Sequence, residues 1–152
     1  ILYPELKDSK KLSEKIRIKL ANKIIKQSLC ISIGVATKDE IDSVNIHNAT
    51  LLSMKRAINN LSIKPDLLQI DGLYAPETEI DSECIVRGDS KIPQISAASI
   101  LAKVARDFEM NYLHNKYELY NFRKNNGYGT PQHIKAIECY GKTIYHRESF
   151  LK

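Results

Sequence analysis

The chain has 152 residues, 43% of them hydrophobic, which is enough for one compact domain with a core and too many for a disordered chain. Lys and Arg number 23 against 18 Asp and Glu, and the resulting net charge of +5 is compatible with a polyanionic partner without requiring one. No apolar run approaches the roughly 18 residues of a membrane span.

Ile1-Leu2-Tyr3-Pro4 lacks the basic flank and apolar core of a signal peptide, so the cytoplasm is the expected compartment. The chain does not begin with Met, and an upstream part is expected. Cys30, Cys84 and Cys139 are isolated, odd in number and without a Cys-x-x-Cys pair. They read as buried thiols in a reducing compartment, with neither structural zinc nor a disulfide framework expected. No repeat, low-complexity tract or long linker divides the chain, so a single domain over residues 1–152 is expected.

Ser13 is placed to cap a helix running to about Gln27, with Ile16, Leu20 and Ile24 on one face. The alternation of Ile31, Ile33 and Val35 within Cys30 to Ala36 predicts a strand with one buried face. Thr37 and Glu40 have capping-box spacing and open a short helix. A longer helix follows from about Ile46 to Leu61, with Leu51, Met54, Ile58 and Leu61 in register. After Pro65, Leu67 to Ile70 reads as a short strand stopping at Asp71-Gly72, and Cys84 to Arg87 as a second stopping at Gly88-Asp89. From Pro93 to Tyr117 the chain reads as one long helix whose first half carries Ser96, Ala97, Ala98, Ser99 and Ala102. These small residues allow close approach to a neighbour. Thr130-Pro131 starts a last helix that Gly141 closes. The sum is an α/β domain with helices packed on a sheet.

Asp71 and Asp89 each follow an apolar strand and sit beside a glycine where the chain leaves the sheet, the place where sites form in open α/β sheets. Two carboxylates brought close repel unless a divalent cation neutralises them or one takes a proton. Hard oxygen ligands without Cys or clustered His favour magnesium or manganese over zinc. The plainer alternative is that Asp-Gly is a turn signal and Asp89 a helix cap.

Lys7-Asp8-Ser9-Lys10-Lys11 precedes a helix and can meet phosphates, with Ser9 adding a hydrogen bond; it also reads as a solvated basic turn. In Asn125-Asn126-Gly127-Tyr128-Gly129-Thr130 the flanking glycines let the backbone approach a ligand. Tyr128 there either stacks on a sugar or base or packs on the core. Arg106-Asp107 is either a surface ion pair of little worth or a support for the acidic site. His114 is expected on a solvated helix face, and His47 and His133 in structural roles near helix starts. His146-Arg147 is in a position to reach a phosphate, though nothing local demands it.

Taken together these segments resemble the ribonuclease HII family, the type 2 ribonucleases H. The resemblance is carried by Asp8-Ser9-Lys10-Lys11-Leu12-Ser13, by Gly34-Val35-Ala36 with Ile41-Asp42, and by Asn45-Ile46 with Ala49-Thr50-Leu51-Leu52. It continues through Lys64-Pro65-Asp66 to Asp71-Gly72, then Gly88-Asp89-Ser90. The strongest stretch is Ile95 to Val104 with Arg106-Asp107 after it, and Gly127-Tyr128-Gly129-Thr130 and His146 to Phe150 complete the order.

The resemblance implies a ribonuclease H-like fold, a mixed sheet flanked by helices with a carboxyl-terminal helical portion. It implies an endonuclease that cuts the RNA strand of RNA–DNA hybrids and incises 5′ of single ribonucleotides in duplex DNA, with Mg2+ or Mn2+ as cofactor. By family pattern Asp71 and Asp89 are the third and fourth active-site carboxylates, and Tyr128, beside Gly127, packs at the ribonucleotide and senses its 2′-hydroxyl. Ser9 and Lys10 lie near the substrate backbone, while Asp107 and Arg106 support the site.

The chain departs from that pattern at its start. The family's amino-terminal strand carries an adjacent Asp-Glu pair followed by Gly-Arg-Gly, and no such segment occurs here. Ile1-Leu2 matches only the end of the second strand, so the first two strands are expected to be missing from this sequence. The chain alone is therefore expected to be an inactive monomer. The alternative is a duplex-binding module that keeps the basic surface and Tyr128 but has lost the chemistry, with salt-sensitive binding and no cleavage.

Overall fold

The computed structural model of the protein describes residues 12–150. The chain divides after Ala102 into two compact units, one ending there and one beginning at Lys103.

In the first unit, Ser13 holds the N-cap position of α1 (Glu14–Gln27) with extended backbone, but its hydroxyl makes no capping hydrogen bond. Glu14 in the first turn and Lys26 in the last complement the helix dipole instead. Leu20, Ala21 and Ile24 are buried, whereas Ile16, expected on that stripe, is exposed because packing begins only in the second turn.

The strand expected over Cys30 to Ala36 joins no ladder among the described residues, and the face expected to be buried is exposed: Ile31, Ile33 and Val35 point outward. Gly34 gives the physical reason. A Cβ there would lie 1.8 Å from the Ser53 carbonyl oxygen and 2.6 Å from the Ala57 nitrogen. The segment lies backbone to backbone on the following helix, so its small residues face inward and its β-branched ones face out.

That helix, α2 (Lys38–Asn59), opens with the predicted capping box, in which Thr37 Oγ1 accepts from the Glu40 amide and the Glu40 carboxylate accepts from the Thr37 amide. At Asn45 the backbone turns left-handed, φ 70°, and divides α2 into the short and long helices expected from the sequence. The Asn45 side chain then caps the second piece by accepting from the Asn48 amide at 3.1 Å. Arg56, one face along, donates to Glu40 at 2.8 and 2.5 Å and to the Val35 carbonyl at 2.7 Å, clasping the extended segment to the helix.

Strands β1 (Leu68–Asp71) and β2 (Ser82–Ile85) pair in parallel, Leu68 opposite Ser82 and Asp71 opposite Ile85. They are the whole sheet among the described residues, joined by an irregular crossover over residues 72–81. Leu68 and Ile70 are buried. β2 stops two residues earlier than predicted, because Val86 and Arg87 form a turn with Arg87 left-handed at φ 56°. Ser90 Oγ and Lys91 Nζ hold that turn by donating to the carbonyls of Arg87 and Val86. A single helical turn, α3 (Gly88–Lys91), follows, and then α4 (Pro93–Lys116). Early in α4, Ile95, Ser96 and Ile100 are buried, whereas of the other small residues Ala97 and Ser99 are half-buried and Ala98 and Ala102 exposed.

The second unit has its own core of Met110, Leu113, Tyr120, Phe122 and Ala136. It contains the end of α4, α5 (Phe122–Asn125) and α6 (Pro131–Tyr140), with short 3-10 turns at Glu118–Tyr120 and Glu148–Phe150. Thr130 caps α6 by accepting from the His133 amide at 3.3 Å, and Gly141 ends it with φ 79°. The Tyr120 hydroxyl donates to the Gly141 carbonyl at 2.8 Å and so fixes the chain beyond the helix.

Three expectations need correction here. Cys84 and Cys139 are exposed and Cys30 half-buried, the first because nothing among the described residues covers that side of β2. His114 is half-buried with Nδ1 shielded from solvent, since its part of α4 packs in the second unit. His146 is buried in the core of that unit, where it cannot meet a phosphate. No helix among the described residues is long and apolar enough to cross a membrane.

Candidate active site

Asp71 ends β1 and is exposed; Asp89 is half-buried in the first turn of α3. The parallel register places Ile85 opposite Asp71, and the Gly72 amide continues the ladder by donating to the Ile85 carbonyl at 3.1 Å. The turn at Val86-Arg87 then brings the chain back across the end of β1. There the Gly88 amide donates to Asp71 Oδ1 at 2.8 Å. Gly88 directly precedes Asp89, so the carboxylate of Asp71 lies one residue from the backbone of Asp89. Asp89 is not itself the N-cap of α3, which is Arg87.

Two carboxylates at one sheet end favour a bound cation or a shared proton. In kind the donor set fits a hard divalent cation: two carboxylates at the end of a sheet. In number it would supply two protein ligands, since no three His, Cys, Asp or Glu side chains gather among the described residues. Ions of the magnesium class commonly complete their shell with water and phosphate oxygens.

The second predicted region is the loop from Asn125 to Thr130. Asn125 is buried and organises it: its side-chain amide donates to the Tyr120 carbonyl at 2.6 Å, and its Oδ1 accepts from the Gly127 amide at 2.9 Å. Gly127 has φ +83°, a conformation that strains any other residue. The Tyr128 ring is 73% exposed, which excludes the core-packed alternative. The sequence marks this segment through its glycines and Tyr128, while the organising part of Asn125, first residue of an Asn-Asn-Gly turn signal, emerges only in the structure.

Arg106 and Asp107 do not pair with each other. Arg106 pairs with Glu109 at 2.5 Å, and Asp107 with Lys103 one turn earlier. His47 meets the Tyr74 ring edge-on at 4.9 Å. His133 is buried and hydrogen-bonded to His146 at 3.0 Å, a pairing that no local sequence signal announces. The segment from Lys7 to Lys11, with Ser9 and Lys10, lies outside the described residues.

A family model described as Ribonuclease HII matches residues 3–152. The chain is 53% identical over 151 residues to Ribonuclease HII of Blochmanniella floridana, covering 98% of this chain and 74% of that one. It is 49% identical over 148 residues to Ribonuclease HII of Neisseria meningitidis serogroup C, covering 97% and 76%. Among solved structures, the ribonuclease H2 from Pyrococcus horikoshii OT3 superposes with a TM-score of 0.80 at 26% identity, over 95% of this chain and 76% of that one. The ribonuclease HII in a PCNA complex from Archaeoglobus fulgidus, at 20% identity and a TM-score of 0.71, shares the fold over 96% of this chain and 77% of that one. The small parallel sheet with its helices is thus a ribonuclease H-like α/β fold, and the chain belongs to the ribonuclease HII family of metal-dependent endoribonucleases.

Proposed function

We propose that Asp71 and Asp89 are two carboxylates of a two-cation site that cuts the RNA strand of RNA–DNA hybrids and incises duplex DNA 5′ of a single embedded ribonucleotide. The observation that carries this is the Gly88 amide on Asp71 Oδ1, which fixes the first carboxylate at the residue preceding the second. Magnesium or manganese bound there supplies Lewis-acid stabilisation of phosphoryl charge and activation of water.

The chain's own residues orient the reaction. Asp71, held by the Gly88 amide, and Asp89 hold the cations. The exposed Tyr128 ring, beside Gly127, lies against the sugar of the ribonucleotide and reads its 2′-hydroxyl, the group that distinguishes one ribonucleotide in DNA. Ser9 and Lys10 contact the substrate backbone, and Asp107 and Arg106 play supporting parts. One ribonuclease HII-like domain over residues 1–152, monomeric and cytoplasmic, is part of this proposal, supported by a family model that matches residues 3–152.

These 152 residues contain no Asp-Glu pair followed by Gly-Arg-Gly, so two carboxylates and the main 2′-hydroxyl contact have no counterpart among them. The chain by itself is therefore expected not to turn over. The test compares the chain alone with the chain joined to the residues of its Blochmanniella floridana relative that lie outside the match. With manganese and a duplex holding one ribonucleotide, the joined protein is expected to incise and its Asp71→Asn variant not to. Equal cutting by both would remove Asp71 from the mechanism.

A further inference from the structure

Four groups in the second unit form one line of hydrogen bonds that ends on Tyr128. The Thr143 amide donates to His146 Nδ1 at 2.9 Å, and the Thr143 hydroxyl, which accepts from the Tyr145 amide, lies 2.9 Å from the same nitrogen and can donate to it too. His146 Nε2 faces His133 Nε2 at 3.0 Å, and His133 Nδ1 faces the Tyr128 carbonyl at 2.8 Å. The two ends of this line dictate where its protons sit. A backbone amide only donates, so His146 Nδ1 is bare and the proton of the neutral ring is on Nε2. A carbonyl only accepts, so His133 Nδ1 carries its proton and Nε2 is bare. The contact in the middle then has one donor and one acceptor, His146 Nε2–H to His133 Nε2. Every position is satisfied when both rings are neutral.

An added proton breaks the line. Either two N–H groups face each other across 3.0 Å, or His146 must give up the Thr143 amide. Both rings are buried: His133 is 3% and His146 7% exposed, and the rings of Tyr120 and Phe122 pack on both. The charged groups nearby are Lys142 and Glu148, which pair with each other at 2.7 Å. Burial, and then the neighbouring His133, hold the pKa of His146 below its ordinary value.

At the far end, the Tyr128 backbone is held at both its polar groups. Its amide donates to the Asn125 carbonyl at 2.8 Å, and its carbonyl accepts from both the Thr130 amide and His133. The backbone is fixed while the ring stands in solvent. We propose that His133 and His146 are positioning residues for ribonucleotide recognition, a neutral two-histidine strut that sets where the Tyr128 ring is presented. The positional part rests on the role given to Tyr128 above; the strut itself does not.

Two measurements on the 152-residue chain test it. Imidazole 15N NMR is expected to find His133 with its proton on Nδ1 and His146 with its proton on Nε2, with His146 still neutral below the ordinary histidine range. The opposite tautomers, or His146 charging at the ordinary pH, would overturn the strut. The second measurement is anisotropy binding of a duplex with one ribonucleotide against the same duplex in all-DNA form. His133→Leu is expected to lower the ratio of the two affinities about five-fold, the effect of one lost hydrogen bond, as Tyr128→Ala does. His133→Asn, whose amide stands where Nδ1 stood, is expected to restore it. A folded His133→Leu with an unchanged ratio, while Tyr128→Ala lowers it, overturns the positioning role alone. An unchanged ratio in Tyr128→Ala overturns the role of Tyr128 and the positioning with it, leaving the tautomers to decide the strut.

Discussion

The Gly88 amide donates to the Asp71 carboxylate across 2.8 Å, so the residue that leads into Asp89 is also the one that orients Asp71. Fold and site meet in this one bond, because it closes the end of β1 onto the turn after β2. Gly88 is buried while Asp71 is exposed, so the bond lies at the boundary between the core and solvent.

Stability and charge at position 71 are therefore separable. Asp71→Asn keeps an acceptor for Gly88 and is expected to melt near wild type. Asp71→Ala removes the charged acceptor of this hydrogen bond and is expected to lose about 1–3 kcal/mol in urea denaturation. Equal stability of the two variants would mean that the hydrogen bond does not form in solution.

Gly34 lies too close to α2 for any side chain. Gly34→Ala places a carbon 1.8 Å from the Ser53 carbonyl, and backbone cannot step aside as a side-chain tip can. A loss of about 3 kcal/mol is expected, at the upper end of what overpacking costs. Denaturant unfolding of the variant checks it.

The capping box gives a pH prediction. Hydrogen bonding from Arg56, then from the Thr37 backbone, holds the Glu40 carboxyl down at about 2 from an ordinary 4.5. A lowered carboxyl stabilises the fold fully above the ordinary value and loses that contribution as pH falls through the folded one. The melting difference between wild type and Glu40→Gln is thus expected to be full at pH 6 and to close between pH 4.5 and about 2.

His146 has the opposite chemistry and the same sign. Its ring resists protonation in the folded state, whereas in the unfolded chain it takes a proton near its ordinary value of 6.5. Acid therefore favours the unfolded chain, and stability is expected to fall as pH drops below the ordinary histidine range. In His146→Leu that part of the pH dependence should be absent, which thermal melts across the range would reveal.

How much of this was legible in the sequence depended on whether the signal was local. Asp71-Gly72 marks the end of β1, and the spacing of Thr37 and Glu40 marks a capping box; each is written within a few residues. The end of β2 was misplaced because Val86 and Arg87 continue an apolar run, while the left-handed backbone of Arg87 has no sequence signature. The alternation of Ile31, Ile33 and Val35 gave the extended shape but the wrong face, since Gly34, not the apolar residues, determines what lies against α2. His133 and His146 were invisible as a pair: they are 13 residues apart and meet only because Gly141 ends α6 and turns the chain back.

The central claim, that Asp71 and Asp89 hold a divalent cation together, is tested most directly by adding manganese to the 15N-labelled chain. Paramagnetic broadening is expected first at the amides of Asp71, Gly72, Gly88 and Asp89, and is expected to disappear in Asp71→Asn. Broadening that begins elsewhere, or that persists unchanged in Asp71→Asn, would contradict it.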